Sequence, residues 1–272
     1  MAVVVDIVDT AFMHAPGMSW YNKPDIIIWR RAYPFRTKIR FFTDRNIGRV
    51  DSFPSDINVA LLIEPICYDD TGYKICLNKL DKIHYVLSYD EEFLAKVGSK
   101  GLSYFIGGCW ISESDRSLHP KRSLISMIAS AKTATRGHQL RHEAARMLGK
   151  KIDILGHGYK PLTYKIEGLS HYRFSIAIEN GIVDTLFTEK IIDCFMTGTV
   201  PIYYGTYKIS EHFNMDGVIQ FRNLEELDHI VSELSEEDYS KRTMAILDNF
   251  QRAKKYTVAE NWIFRKYPFL MP

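Results

Sequence analysis

The amino-acid sequence predicts an α/β protein built from two sheets of mostly parallel strands. Short apolar runs alternate with longer amphipathic runs almost from end to end of the 272 residues, and strands that alternate with helices favour parallel sheets covered on both faces. A polar stretch at 112–123 divides the pattern into two series and has the composition of a connection between domains. We therefore expect two α/β layers that face each other across a cleft.

The first series predicts an α/β layer with several loops. Its clearest helix is 90–97, with Asp90 as the N-cap. The predicted strands are 3–8, 25–29, 39–43, 58–63, 84–88 and 103–106. Each is short and apolar, as expected of a strand in a covered sheet.

The second series has a more regular pattern. A strand at 124–130 precedes a helix at 137–148, whose residues Leu140, Ala144, Met147 and Leu148 share one face. Apart from the segment 174–205, the remaining predictions are a strand at 152–155, a helical turn at 209–213, a strand at 217–221 and helices at 224–234, 236–255 and 258–266.

Composition and charge disfavour several classes of protein. The 35 basic and 33 acidic side chains leave a formal charge of +2, so no nucleic-acid partner is expected. The four cysteines form no C-x-x-C pair, which predicts reduced and mostly buried thiols. No apolar run is long enough to cross a bilayer, and the first strand has no basic leader. We expect a cytoplasmic protein without a transmembrane segment.

The segment 174–205 carries the clearest functional signal. It predicts a strand that ends at Glu179 and Asn180, a polar loop, a helix whose first turn holds Glu189 and Lys190, and a second strand. In such a unit the carboxyl end of the strand and the amino end of the helix converge on one crevice, where an anion is favoured. Lys190 opposes the helix dipole there unless an anion is bound nearby. It therefore predicts a phosphate site, although simple exposure or pairing with Glu189 stays open.

Several catalytic motifs are absent. No two aspartates are separated by a single residue, so the D-x-D pair with which metal-dependent sugar transferases hold a divalent ion is missing, and no metal is expected. The phosphate loop, a G-x-G-x-x-G after a strand and a G-x-S-x-G elbow are also missing, which argues against an ordinary kinase, dehydrogenase or serine hydrolase. His138 and His142 have a zinc-compatible helical spacing, but without a recognisable third ligand we expect two surface histidines.

Two further residues are candidates for chemistry. Glu64 follows an apolar run and precedes Pro65, where partial burial would favour proton acceptance by a general base. The alternative is a strand-end glutamate satisfied by backbone amides. Arg141 lies beside the apolar stripe of its predicted helix, from which its guanidinium can bind a phosphate in a bidentate manner. The alternative is an exposed arginine paired with Glu143.

One long ungapped segment resembles the signature of a known family. It reads YRFSIAIENGIVDTLFTEKIIDCFMTGTVPIYYG, and it is similar to the F-x-x-x-x-E-N…Y-x-T-E-K…G-T-[VI]-P-[VI]-x-x-G pattern of glycosyltransferase family 10, the α1,3/1,4-fucosyltransferases. LLIEP and IHYVLSYDEEFL resemble parts of that family's first domain. SLISMIASAKTATRGHQLRHEAARML resembles the strand, loop and arginine-bearing helix that open the second. The likeness is dense in the second half of the chain and loose before residue 57.

The resemblance implies a GT-B-like architecture of two Rossmann-like domains facing across a cleft. An acceptor-side domain is expected at 1–120, a nucleotide-sugar-binding domain at 121–256, and a tail at 257–272 that packs back toward the first domain. The implied activity is an inverting, metal-independent transfer of fucose from GDP-fucose to a glycan, with no further cofactor.

The resemblance also assigns roles to individual residues. Glu64 matches the proposed catalytic base of the family. Five residues match donor-binding positions, two of them at the phosphates and three along the nucleotide sugar: Arg141, Lys190, Glu179, Asn180 and Glu189.

Some features depart from the family pattern. Where the family has an aromatic residue two positions before the threonine of T-E-K, this chain has Leu186, followed by Phe187, so the base or sugar preference can differ. The final residues mix aromatic and basic side chains and could touch a membrane surface. Two alternatives remain: the same machinery with another nucleotide sugar, or a catalytically silent carbohydrate-binding relative.

Overall fold

The computed structural model describes residues 3–10, 27–105, 108–183 and 185–272. The chain forms two compact units. Unit 1 comprises Met1–Ile106, Val183–Leu186 and Val258–Pro272, and unit 2 comprises Gly107–Ile182 and Phe187–Thr257. Each unit contains one sheet of parallel strands. The predicted pair of parallel α/β layers is confirmed, while the functional division after residues 120 and 256 stays a prediction.

The described residues form eleven strands and eight α-helices. In chain order the strands are β1 (Val3–Val8), β2 (Ile27–Arg31), β3 (Thr37–Thr43), β4 (Ser55–Leu61), β5 (Tyr85–Ser88), β6 (Gly101–Ser103), β7 (Ser123–Ile128), β8 (Asp153–Leu155), β9 (Tyr172–Ile178), β10 (Val200–Tyr204) and β11 (Ile219–Gln220). The helices are α1 (Thr71–Asn78), α2 (Glu91–Val97), α3 (Arg136–Leu148), α4 (Glu189–Met196), α5 (Leu224–Glu233), α6 (Glu236–Ser240), α7 (Thr243–Ala253) and α8 (Ala259–Lys266).

Most predicted elements are present, with ends displaced by a few residues. The Asp90 carboxylate accepts a hydrogen bond from the Phe93 amide at 2.7 Å, which confirms it as the cap of α2. Parts of two predicted strands, residues 25, 26 and 106, lie outside the described residues.

Two helical predictions need correction. The helix α1 was not predicted, although Asp70, a common N-cap residue, directly precedes it. The Asp70 side chain makes no capping hydrogen bond to α1. The predicted helix 236–255 is two helices, α6 and α7. The chain turns between them, where the Arg242 guanidinium donates to the carbonyl oxygen of Asp216.

Unit 1 buries apolar side chains on both faces of its sheet, whose strand order is β2-β1-β3-β4-β5-β6. One face packs against Ile263 and Phe264 of α8, and the Trp29 indole donates to the Glu260 carboxylate at 3.0 Å. The other face packs against residues of α1 and α2. Full burial of a side chain of the size of isoleucine or phenylalanine stabilises the fold by about 1.5–3 kcal/mol relative to leaving it exposed.

The sheet of unit 2 has the strand order β11-β10-β9-β7-β8. The strand β8 pairs with one edge of β7, and β9 pairs with the other edge. The order in which successive strands join the sheet therefore reverses between β7 and β9. Ligands of open α/β sheets bind outside the carboxyl ends of the strands at such a switch point. Glu179 and Asn180, which follow β9 directly, therefore lie where a ligand is expected.

The polar stretch 112–123 lies within unit 2, while its place at the boundary between two functional domains stays a prediction. Lys121 anchors it, because its ammonium donates to the carbonyl oxygens of Ser170 at 3.1 Å and Thr197 at 2.8 Å and to the Thr199 hydroxyl at 2.9 Å. A partly buried ammonium needs such acceptors, and composition alone does not reveal them.

The four cysteines are free thiols, with Cys67 exposed and the other three buried. Within the described ranges, no helix is both long enough and apolar enough to cross a membrane.

Candidate functional site

A cavity of about 420 Å³ lies at the carboxyl ends of β7 and β9 in unit 2. Its volume is within the usual range for a small-molecule site. The side chains that line it include three cations, one carboxylate, one amide and one indole: Arg141, Lys165, Lys190, Glu189, Asn180 and Trp110. The cavity therefore combines charged groups with an aromatic surface at the switch point of the sheet.

Arg141 is buried in this cavity, with 6% of its surface exposed. Its Nε donates to the carbonyl oxygen of Ile178 at 3.2 Å, and its Nη2 donates to Asn180 Oδ1 at 2.6 Å. Among the described residues, no carboxylate lies within ion-pair distance of this guanidinium. Glu143 pairs instead with Arg136 at 2.8 Å. Burial lowers the pKa of Arg141, but a guanidinium stays charged at neutral pH, so its charge faces the cavity with neutral partners only.

Gly137 allows α3 to bring Arg141 this close to β9. A Cβ atom at this position would lie 1.8 Å from the carbonyl oxygen of Glu179. The Gly137 amide instead donates to the carbonyl oxygen of Asn180 at 3.0 Å. The start of α3 therefore contacts the end of β9 directly.

His138 belongs to the cap of α3 and is not a surface residue, which corrects the expectation of two surface histidines. Its amide donates to Thr135 Oγ1 at 3.1 Å, and its Nδ1 accepts from the Thr135 amide at 3.2 Å. Burial, together with the charge of Arg141, lowers the pKa of His138 to about 4. The imidazole is therefore neutral at physiological pH.

Glu179 connects the end of β9 to the start of α4. Its carboxylate, only 1% exposed, accepts hydrogen bonds from the Thr188 amide at 2.9 Å and the Thr188 hydroxyl at 2.7 Å. Lys190 Nζ lies 3.2 Å from Glu179 Oε2 and 3.2 Å from Glu189 Oε1. Burial opposes the charge of Lys190, but Glu179 and Glu189 outweigh it and raise the pKa of the ammonium. Lys190 does pair with Glu189, as the alternative interpretation expected, and this pairing keeps its ammonium charged beside the cavity.

Glu189 also stays ionised. Burial alone would raise its pKa, but Lys190 and Lys165 outweigh that effect and lower the pKa to about 2. The site therefore presents a fixed carboxylate between two ammonium groups.

Sequence reasoning missed Lys165, Asp193 and Trp110. Lys165 Nζ lies 2.6 Å from the buried Asp193 carboxylate and 4.8 Å from the centre of the Trp110 ring. Burial opposes the charge of Lys165, but Asp193 and Glu189 raise its pKa. Lys165 begins a 3-10 helix of four residues, Lys165–Gly168, which is too short to leave a periodic pattern in the sequence. The only available signal was Asp193, one helical turn after Glu189 on the predicted helix.

Glu64 is not among the residues that line this cavity. It lies in unit 1, in the loop that follows β4, and it is exposed. The expected partial burial is wrong because β4 ends at Leu61, so Glu64 follows the strand at a distance of three residues and reaches solvent. Its role as a base stays a prediction.

Leu186 and Phe187, where the chain departs from the family pattern, do not line the cavity. Leu186 is buried in the apolar cluster of unit 1. Phe187 packs in unit 2 against Phe213 and Tyr256, with ring centres 5.5 Å and 5.1 Å away. Both residues have a place in a hydrophobic core.

The part of the chain that the structure describes contains no group of three or more His, Cys, Asp or Glu residues that could hold a metal ion.

The two units with parallel α/β sheets form a GT-B-like fold, which solved glycosyltransferase structures share. An α1,3-fucosyltransferase crystallised with GDP-fucose has a TM-score of 0.58 and 14% identity, covering 99% of this chain and 90% of that one. Anabaena HepE in complex with UDP-glucose has a TM-score of 0.63 and 10% identity, covering 98% and 99%.

The family model "Glycosyltransferase family 10 (fucosyltransferase) C-term" matches residues 118–267. This match spans more than half of the chain, and the protein belongs to glycosyltransferase family 10.

Two curated relatives match a shorter part. The α-(1,3)-fucosyltransferase FucT of Helicobacter pylori is 31% identical over 83 residues, which are 30% of this chain and 17% of the relative. An α-(1,4)-fucosyltransferase of Arabidopsis thaliana is 36% identical over 73 residues, which are 25% and 18%. The matched part is thus less than one-fifth of either relative.

Proposed function

We propose that this protein transfers fucose from GDP-fucose to a hydroxyl group of a glycan, with inversion at the anomeric carbon and without a metal ion. The acceptor oxygen loses its proton to a base and forms a bond to C1 of the sugar. The bond between C1 and the phosphate oxygen breaks, and GDP leaves with the electron pair.

One observation carries the proposal. The buried Arg141 guanidinium, whose hydrogen-bond acceptors are neutral, faces the same cavity as the Lys190 ammonium. A diphosphate supplies the negative charge that this pair favours, and preorganised cations stabilise the charge that develops on a departing diphosphate. The amino terminus of α4 adds its amide groups. These groups supply the neutralisation that a divalent cation provides in metal-dependent transferases.

The remaining residues have separate roles in this proposal. Glu179 holds Lys190 and caps α4 through Thr188. Asn180 orients Arg141, and Glu189 contacts the nucleotide sugar. Glu64 of unit 1 is the base that accepts the proton of the acceptor, and its exposure keeps it accessible to a hydroxyl group.

A different nucleotide sugar is the alternative that a specific observation favours. HepE with UDP-glucose shares the fold over nearly the whole chain, and a shared fold does not by itself select the nucleotide. Calorimetry with GDP, UDP, GDP-fucose and UDP-glucose, each with and without a chelator, separates the two donors. We expect GDP-fucose to bind most tightly and the chelator to change nothing. Binding of UDP-glucose alone, or loss of binding with chelator, would overturn the donor or the metal assignment.

A catalytically silent relative is tested by turnover. GDP release from GDP-fucose should fall about 100-fold or more in Lys190→Gln, because a cation is lost from the leaving group, while the amide can still donate to Glu179 and limit the loss of stability. Lys241→Gln is the matched control, since Lys241 is exposed and pairs with Glu237 on α6.

Equal turnover of Glu64→Gln and the wild type would show that Glu64 is not the base. Tight donor binding without any turnover would identify a binding protein.

A further inference from the structure

The three residues that follow β4, Leu62 to Glu64, have all their backbone polar groups within hydrogen-bond distance of other groups of unit 1. The Leu62 amide donates to the carbonyl oxygen of Leu87 at 3.0 Å. The amides of Ile63 and Glu64 donate to Asp44 Oδ1 at 2.8 Å and 3.2 Å. Side chains from outside this loop therefore restrain its backbone up to the exposed Glu64 side chain.

Three buried tyrosine hydroxyls bind the carbonyl oxygens of the same residues. Tyr104 donates to Leu62 at 2.9 Å and Tyr89 to Ile63 at 3.4 Å. The Tyr73 hydroxyl lies 3.1 Å from the carbonyl oxygen of Glu64 and 3.2 Å from the Tyr89 hydroxyl, and its single proton is shared between these two acceptors. These tyrosines are at most 3% exposed, and burial raises the pKa of Tyr73 to about 12, so its hydroxyl stays a donor. We refer to Asp44, Tyr73, Tyr89 and Tyr104 as the clamp.

Asp44 is held in an unusual backbone conformation. It follows β3 directly, and its φ of 42° lies in the left-handed region, which non-glycine residues adopt infrequently. Gly72 in the first turn of α1 contacts it so closely that a Cβ atom there would lie 2.9 Å from Asp44 Cα. Strained residues of this kind persist where the surrounding structure over-determines them, often beside functional groups.

We propose that Asp44 is a positioning residue for Glu64: its carboxylate, together with the tyrosines of the clamp, fixes the backbone from which the Glu64 side chain reaches the acceptor. The inference rests on the proposed role of Glu64 as the base. A base on an unrestrained loop would have to be ordered at each turnover, and small displacements of a catalytic group are costly.

The variants Asp44→Ala and Asp44→Asn test the proposal. Both backbone amides bind the same oxygen, Oδ1, so an asparagine can keep both contacts and an alanine can keep neither. We expect Asp44→Ala to lower kcat for GDP release from GDP-fucose, with water as the acceptor, by about 10- to 100-fold. The KM for the donor should stay within about two-fold, and Asp44→Asn should recover most of the loss. Asp56→Ala is the matched control, because Asp56 is an exposed carboxylate of β4 paired with Arg36.

Two further measurements separate positioning from a general effect on stability. Hydrogen exchange should accelerate at the Ile63 and Glu64 amides in Asp44→Ala, and not in Asp56→Ala. In a Glu64→Gln background, Asp44→Ala should cause no further loss of kcat, because residues that act through one another are not additive.

An equal loss of kcat in both backgrounds, or unchanged exchange at the two amides, would overturn the positioning role. Wild-type turnover of Glu64→Gln alone would instead refute the assignment of the base, and with it the positioning role. Calorimetry of GDP binding tests the donor site independently of the roles proposed for Asp44 and Glu64.

Discussion

At the scale of single residues, the cavity of unit 2 is organised by one buried carboxylate. Glu179 binds the amide and hydroxyl of Thr188 and lies 3.2 Å from the Lys190 ammonium. A buried carboxylate without partners is costly, and these contacts satisfy it. The glutamate that ends one strand therefore fixes both the start of the next helix and the orientation of the lysine on it. This explains in physical terms why E-N and T-E-K occur together in one segment.

Asp44 should make the stability of unit 1 depend on pH. Burial raises its pKa to about 6 from an ordinary 3.8, although the amides of Ile63 and Glu64 oppose the shift. The carboxylates of Glu64 and Asp69 face it and add to the shift, and the three clamp tyrosines surround it as neutral groups. A carboxyl with a raised pKa binds its proton more tightly in the folded state, so its contribution to stability falls as the pH rises from about 4 to about 6.

The expected size of this effect is about 3 kcal/mol at most, from a shift of about two pH units. Asp44→Asn should remove it, because the amide does not titrate. Urea unfolding at several pH values between 4 and 7.5 is the measurement. We expect the variant to gain stability relative to the wild type toward neutral pH and to match it near pH 4. A constant difference between the two proteins across this range would contradict the prediction.

At the scale of elements, the site depends on how closely α3 approaches β9. Gly137→Ala places a Cβ atom 1.8 Å from the Glu179 carbonyl oxygen, so the helix has to move. We expect a loss of about 3 kcal/mol or more in unfolding free energy. The affinity for GDP should also fall by about 10-fold or more, because Arg141 moves with its helix.

Gly48→Ala is the control for Gly137→Ala, since a Cβ atom there has its nearest contact at 3.6 Å, with the side chain of Ile75. Calorimetry with GDP and thermal unfolding are the measurements. Wild-type binding and stability in Gly137→Ala would show that the contact between α3 and β9 is not needed to place Arg141.

The sequence predicted elements well where the signal is local. The alternation of apolar and amphipathic runs predicted the strands, and Asp90 marked the start of α2. The family resemblance assigned Arg141, Asn180, Glu189 and Lys190, which the structure brings to one cavity. Lys165 was missed because its partner, Asp193, lies on another element. The clamp was missed for the same reason, since hydrogen bonds between residues distant in sequence leave no periodicity.

At the scale of the whole molecule, the hydrophobic clusters of the two units support two different tasks. The core of unit 1 includes α8, through which Phe264 contacts Trp29 and Phe41, with ring centres 6.1 Å and 6.0 Å away. The core of unit 2 supports the strands that carry the cavity. Because Arg141, Asn180, Glu189 and Lys190 all belong to unit 2, nucleotide affinity should depend on the integrity of this core.

Substitutions in the two cores should therefore have different effects on GDP binding. Phe264→Ala removes a ring that is 4% exposed and should cost about 3–5 kcal/mol of stability, with the Kd for GDP unchanged within about two-fold below the unfolding temperature. Phe221→Ala, at a position 2% exposed in unit 2, should have a similar cost. In that variant, GDP at 100 times its Kd should restore about 2.7 kcal/mol of unfolding free energy, because a ligand stabilises the unit that binds it.

Urea unfolding followed by hydrogen exchange, with and without GDP, assigns each effect to its unit. Protection by GDP at the amides after β7 and β9, and at the start of α4, would support a nucleotide site confined to unit 2, whereas a ten-fold loss of GDP affinity in Phe264→Ala would contradict it.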